Sequence, residues 1–486
     1  MDCQLQVRER CTHGRFRPLA RWKRLVAIAL AAICFQTSAT AQSPAVTDGM
    51  ILSNDVHLEL QRMQQQIDEL KAASALQPDA SMAPFSPSPM ICCPPETPKP
   101  KYPTARITGF LQVDAVGFHQ DFANMQAVGG GVAANGDVQD GADFRRARLA
   151  ATGQAWDNVS YMLEMDFAFP GRPSFMDVWL DIDDVVGSNN LRIGQFRQPF
   201  GMDGLTSVRE MTFLERGLPF AFLPFRQIGA MLYGNSKDEV ATWAISGFRF
   251  PTDTFGGNVG DNGGYGIATR LTGLLVNRGD GKGLLHIGGG YSFIDPANDQ
   301  FQYRNQPEVF VGETGGGAPS GVPANVPPFV DTGAFAADNA NLFNAELAMA
   351  YGSLYTQSEA IYAVVNQPAA PTITLPGAYA QAGYFLTGET RKYNGKNGVF
   401  GRVSPNRSVG AENGIGAWEV AGRWSYIDLN DENIQGGRLN DLTAGLNWYL
   451  NPYTKFQFNY IHAMLDSPIN GESDADIYAM RAQVDF

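Results

Sequence analysis

Arginine is the residue type in this chain best placed to do chemistry. Its planar fork offers paired donors to a phosphate or carboxylate, and its charge persists at any working pH. Arg146, Arg148, Arg192, Arg270, Arg423, Lys455 and Arg481 fall on the polar face of alternating segments. Arg197, Arg209, Arg216 and Arg226 lie in or beside the segment 198–225. Set around a narrow wet passage, such a group concentrates anions by focusing the field. Glu164, Asp166, Asp177, Asp181, Glu346, Glu359 and Glu419 share the same face. The arginines therefore have two readings: an anion path, or ion pairs along a solvated wall. The expected anion-binding set is Arg146, Arg148, Arg192, Arg209, Arg216, Arg270, Arg423 and Arg481.

Covalent chemistry finds no comparable set. There is no P-loop, no HExxH and no CxxC. Gly315-Gly316-Gly317 sits in a Pro/Gly-rich loop rather than at a strand-to-helix turn, and Gly279-Asp280-Gly281 reads as a hairpin turn. Only five His are present, and no nucleophile with a His partner stands out. No enzyme activity, cofactor or metal is expected.

The arginines need a scaffold that holds them in a ring. After Thr104, segments of about 10 residues alternate apolar and polar, as strands of a transmembrane barrel do. Tyr161, Leu163, Met165 and Phe167 oppose Ser160, Met162, Glu164 and Asp166; Leu442, Ala444, Leu446, Trp448 and Leu450 oppose Thr443, Gly445, Asn447 and Tyr449. Period two predicts strands with one apolar face. A soluble sandwich and a barrel both satisfy that pattern. Three features favour the barrel. Trp418, Trp424, Tyr426, Trp448, Phe456, Phe458 and Tyr460 sit near strand ends on the apolar face, as interfacial girdles do. Tight links at 156–157 and 451–452 contrast with long ones at 119–141, 198–225 and 295–340. The chain ends Tyr478, Met480, Ala482, Val484, Phe486 on one face, the ending that outer-membrane assembly reads.

Strands are expected near 105–118, 142–155, 158–169, 174–184, 191–197, 226–234, 239–250, 263–275, 283–294, 341–352, 354–365, 378–388, 416–428, 439–450, 453–464 and 475–486. The fold class is thus all-β, a sixteen-stranded antiparallel transmembrane barrel preceded by a short coiled-coil helix. Both barrel ends must then be periplasmic, which makes 389–415 a long periplasmic connection rather than the site of a seventeenth strand. The 198–225 segment carries Pro199, Pro219 and Pro224 with Phe200, Phe213, Leu214, Leu218 and Phe222. So apolar a loop is better buried inside the barrel, narrowing it, than left in water.

Composition supports this. Of 486 residues, 17% are charged and 11% aromatic, against about 25% charged in a typical soluble protein. Mean hydropathy is −0.19, and beyond the leader no run reaches the ~20 apolar residues of a membrane helix. Arg21, Lys23 and Arg24 precede an apolar run and Ala39-Thr40-Ala41, the order of a signal peptide over 1–41. The remainder has 29 basic and 47 acidic residues, which argues against nucleic acid. Val56, Leu60, Met63, Ile67 and Leu70 form a heptad seam within 42–77, followed by a Pro-rich linker over 78–103. The adjacent Cys92 and Cys93 offer no disulfide framework for the barrel, though they could cross-link neighbouring copies.

Five stretches carry a family resemblance: Phe144-Arg145-Arg146-Ala147-Arg148-Leu149; Asn190-Leu191-Arg192-Ile193-Gly194-Gln195-Phe196 with Pro199-Phe200; Thr212-Phe213-Leu214-Glu215-Arg216; Phe385-Leu386-Thr387-Gly388-Glu389; and Gly416-Ala417-Trp418-Glu419-Val420. In this order they resemble the phosphate-selective porins O and P over about 104–486. The resemblance implies a trimeric outer-membrane porin with inward loops, some members carrying a periplasmic coiled coil. Expected partners are outer-membrane lipid, small anionic solutes and two further copies of the chain.

Overall fold

A computed structural model describes residues 65, 102–130, 136–168, 173–253, 255–258, 262–279, 283–311 and 326–486. The expected signal peptide, the heptad seam, the Cys pair and the Pro-rich segment up to Lys101 lie outside the described residues; within 42–77 only Gln65 is described, helical and exposed.

Sixteen antiparallel strands close into one barrel. They are β1 Arg106–Gln120, β2 Gly141–Trp156, β3 Val159–Asp166, β4 Ser174–Val186, β5 Asn189–Arg197, β6 Arg226–Asn235, β7 Ala241–Arg249 and β8 Tyr265–Asn277. Then follow β9 Leu284–Asp295, β10 Asn339–Tyr351, β11 Leu354–Asn366, β12 Ile373–Phe385, β13 Ala417–Asp431, β14 Ile434–Asn451, β15 Thr454–Ser467 and β16 Gly471–Asp485. Each pairs with its neighbour in sequence. The seam joins β1 to β16, from Phe110 opposite Asp485 to Gln120 opposite Ala475.

Alternation sets the two faces. On β16, Ile477, Ala479, Arg481 and Gln483 are buried, while Tyr478, Met480 and Val484 are 56%, 44% and 40% exposed. Outward apolar side chains such as Leu271 and Leu275, 66% and 63% exposed, make sense only against lipid. Aromatic side chains stack on this outer face. Trp418 lies 5.1 Å from Trp448, which stacks on Phe456; further along the strands Trp424 stacks on Tyr426 and Tyr460 approaches Tyr478.

The end bearing residues 157–158, 187–188, 352–353 and 452–453 is the turn end; the other is the loop end. The contrast in length is not absolute. The loop end has tight links at 432–433 and 468–470, and the turn end carries the long segment 386–416. In that segment Tyr393–Asn394 pairs only with Val399–Phe400, so the barrel count stays at sixteen. Several strands start earlier than expected, β12 and β14 by the most. β12 begins at Ile373 and includes Pro376, and β14 begins at Ile434 through Gly436 and Gly437, the latter at φ 88° opposite a register shift in β13. Proline and glycine there marked an irregular strand rather than its boundary. At the loop end a helix α1, Phe122–Val128, is capped by Asp121, whose carboxylate accepts from Asn124 N at 2.6 Å.

Candidate functional site

The segment 198–225 leaves β5, turns into the lumen and returns to β6, closed by Gln198 N donating to Phe225 O at 2.7 Å. Its Phe200, Phe213, Leu214, Leu218 and Phe222 are at most 1% exposed. It crosses the barrel, because its anchors lie on the far wall. Met202 N and Asp203 N donate to the Glu359 carboxylate at 2.5 and 2.9 Å. Leu218 N donates to Ser425 Oγ at 2.7 Å, and Asn447 and Lys455 donate to the carbonyls of Thr212 and Met211 at 2.8 and 2.9 Å. Thr212 and Tyr355 hydroxyls meet at 2.5 Å. The loop is thus held largely through backbone groups, with partners from β11 to β15 and, across the seam, from Arg481 and Gln483 of β16 and Gln112 of β1.

Two more connections enter the lumen. From the loop end, Asn305 of the 296–338 segment donates to Leu218 O at 2.8 Å, and Glu308 accepts from Thr443 at 2.9 Å. From the turn end, the 386–416 segment brings Tyr393 to His286 at 2.7 Å, and its Arg391 donates to Glu210 O.

All eight expected arginines belong to the interior, and the structure groups them by partner. Glu215 is the centre of one group: Arg145, Arg146 and Arg481 donate to its carboxylate at 3.0, 2.8 and 2.7 Å. Burial alone would favour the protonated acid, but the three guanidiniums outweigh it and hold the carboxyl well below the usual range. Arg481 also grips Asp114 at 2.7 and 2.6 Å. Arg148 pairs with Asp166 at 2.7 Å and reaches Glu164 at 3.7 Å. Arg192 pairs with Asp181 at 2.5 Å and lies 4.1 Å from the Trp179 ring. Arg270 forks onto Glu346 at 2.8 and 2.7 Å while donating to Asn397 O and Gly398 O of the turn-end segment. Arg423 pairs with Glu308 and donates to Glu215 O at 3.0 Å.

The remaining two differ. Arg216 donates to the carbonyls of Asp203 and Thr206, both at 2.8 Å, and lies over Phe220 and Phe225. Burial pushes its guanidinium down to about 9. Arg209 is half-buried 5.4 Å from the Phe110 ring, with no carboxylate within ion-pair distance among the described residues.

Two of the cavities left in the barrel are lined unevenly. A cavity of about 200 Å³ toward the turn end meets Arg192, Arg197, Arg270 and Lys396 with Asp177. A second, of about 310 Å³, meets Arg145, Arg146, Arg148, Arg216 and Arg226 with Asp166, Glu215, Asp253 and Glu308. Nine cationic side chains therefore line these spaces against five carboxylates.

Arg145, Arg391 and Lys396 stood outside the expected set. Arg145 falls out of step with Arg146 and Arg148, and a register shift in β1 opposite it brings it to Glu215. Arg391 and Lys396 belong to a connection assigned to the periplasm, where inward folding was not considered. Its buried Val399 and Phe400 carry the same apolar signal that marked 198–225.

The sequence matches the family described as phosphate-selective porin O and P over residues 112–486. Porin O of Pseudomonas aeruginosa is 26% identical over 385 residues, covering 72% of this chain and 84% of that one. A protein of Caulobacter vibrioides is 26% identical over 499 residues, covering 95% and 96%. Among solved structures, an anion-selective porin from Comamonas acidovorans covers 78% of this chain and 99% of its own, at 11% identity and a TM-score of 0.47. With the family match spanning the closed barrel and its inward loops, this chain belongs to the phosphate-selective porin O and P family and is an outer-membrane channel protein.

Proposed function

We propose that the barrel is a porin for passive diffusion of small anions, phosphate and small carboxylates being the class that arginine forks suit. The observation that carries this reading is the lining of two cavities in the lumen, nine cations against five carboxylates in a chain that is acidic overall. A confined, low-dielectric passage amplifies that excess. Arg209, Arg216 and the Glu215-centred arginines are the proposed contacts nearest the inward loop. Purified protein in a planar bilayer under a KCl gradient should give a reversal potential of the sign set by chloride. A potential of the opposite sign would replace this reading with a second one, a general or weakly cation-selective porin. That alternative has its own support, since Arg146, Arg148, Arg192, Arg270, Arg423 and Arg481 each face a carboxylate.

The assembly belongs to the same proposal: a homotrimer in the outer membrane, exported by the 1–41 signal peptide, with the 42–77 coil in the periplasm. Cross-linking in detergent should trap trimers with and without residues 42–77. Monomers from the shortened chain would move the trimer contacts from barrel to coil.

A further inference from the structure

Charge is distributed unevenly along the barrel axis. At the loop end, residues 119–143 carry four Asp and no Lys or Arg, and residues 466–476 carry four carboxylates and no Lys or Arg. Residues 428–438 add Asp428, Asp431 and Glu432 against Arg438 alone. These segments are neighbours across the seam: Asp121 N donates to Asp474 O, and Asp474 N to Asp121 Oδ2, both at 3.2 Å. They form one acidic arc over β13 to β16, β1 and β2. Below it lie the arginine-lined cavities of the lumen. At the turn end the 386–416 segment carries five Lys or Arg against Glu389 and Glu412, while the other links and strand ends there carry Lys237, Arg278 and Lys282 against Asp157, Asp183, Asp184, Asp238, Glu239 and Asp280, so that end is balanced in charge.

We infer that the channel rectifies, passing more current when the loop end is positive than when it is negative. This rests on the porin reading above. With the loop end positive, cations enter through the acidic mouth that gathers them, and anions enter through a turn end that does not repel them toward the arginine-lined cavities. Both carriers accumulate between. With the voltage reversed, anions must enter through the acidic mouth that repels them, and the passage is depleted. The effect needs fields that reach across the mouth. The screening length is about 30 Å at 0.01 M salt and about 3 Å at 1 M, so asymmetry belongs to dilute solution.

The test is current at equal and opposite voltages across a planar bilayer holding the full-length protein. In about 10 mM KCl the two currents should differ by about twofold or more, and in about 1 M they should match. Acidifying one chamber to about pH 3 protonates exposed carboxylates there, near 3.9 and 4.3 unperturbed. The chamber whose acidification abolishes the asymmetry faces the loop end, and current should be larger when that chamber is positive. Glu432→Gln, Glu472→Gln and Asp474→Asn together should weaken the asymmetry; these exposed carboxylates form no side-chain hydrogen bond or ion pair among the described residues. A conducting channel with symmetric currents in dilute salt overturns the inference and leaves the porin reading standing. So does the opposite sign, or an asymmetry untouched by acid in either chamber. A bilayer with no current overturns both.

Discussion

Replacing Glu215 by Gln tests how the inward loop and the anion path share their charges. The carboxylate faces Arg145, Arg146 and Arg481. Removing one partner from a buried ion pair costs about 3–5 kcal/mol. Whether the loop then leaves the lumen depends on its other anchors. Glu359, Tyr355, Ser425, Asn447 and Lys455 hold it by hydrogen bonds, each worth about 1 kcal/mol. Phe200, Phe213, Leu214, Leu218 and Phe222 add about 1.5–3 kcal/mol each by burial. Those contributions exceed the loss, so the loop stays docked and the barrel keeps its fold with a lower Tm. The electrical effect survives. At ~7 Å and a water-like dielectric, one charge is worth about 0.6 kcal/mol, or about threefold in local ion concentration. The anion-to-cation permeability ratio in about 0.1 M salt should therefore rise by at least about threefold, with single-channel conductance near wild type. Reversal potentials and protease resistance of the loop measure both. An unchanged or lower ratio in a folded variant would refute the claim that Glu215 offsets a basic constriction. A large rise in conductance with a cleavable loop would mean that Glu215 is the main anchor.

The other expectations are more local. Arg209→Ala should lower the permeability ratio without shifting Tm, whereas Arg216→Ala, which removes bonds to Asp203 O and Thr206 O, should destabilise by about 2–4 kcal/mol; thermal unfolding in detergent separates the two. Gly398 has φ +64°, and an added Cβ would lie 2.8 Å from Thr272 Oγ1 and 3.1 Å from Arg270 Nη1, so Gly398→Ala should dislodge the tip of the turn-end segment and raise conductance; unchanged conductance would place that tip outside the current path. Because the Glu215 pKa is depressed on folding, its stabilisation is complete above the unfolded value of about 4.3 and lost as pH falls through the folded one. The Tm gap between wild type and Glu215→Gln should then be constant near neutrality and close only in strong acid.

The strands were legible because their signal is local. A period of two with turn residues between runs needs no knowledge of partners, and β1 to β16 each fall on an expected segment. The inward path of 198–225 was legible from its phenylalanines and leucines, which have no comfortable place in water. The carboxylates that pair with Arg148, Arg192 and Arg270 were among those read on the same face, but the partners of Arg481 and Arg423 were not legible, for a geometric reason. Alternation tells that Arg481 and Asp114 face inward, but they stand 367 positions apart and meet only because the seam closes. Arg423 meets Glu308 across 115 positions through a loop folded into the lumen. Parity correctly made 386–416 a connection rather than a seventeenth strand, but its inward folding was not legible, because its contacts with Arg270 and His286 join residues more than 100 positions apart.

The seam also sets the order of events in biogenesis. Its two strands, β1 and β16, bracket every other strand, so each exposes an unpaired row of N–H and C=O groups until the last residues have been exported. Such edges recruit any extended chain within reach. Pairings this distant in sequence also form slowly. The chain must therefore travel with its edges guarded and can seal only once, at the end. A stop codon anywhere before β16 should yield no smaller channel, only a sheet with two open edges and nowhere to close.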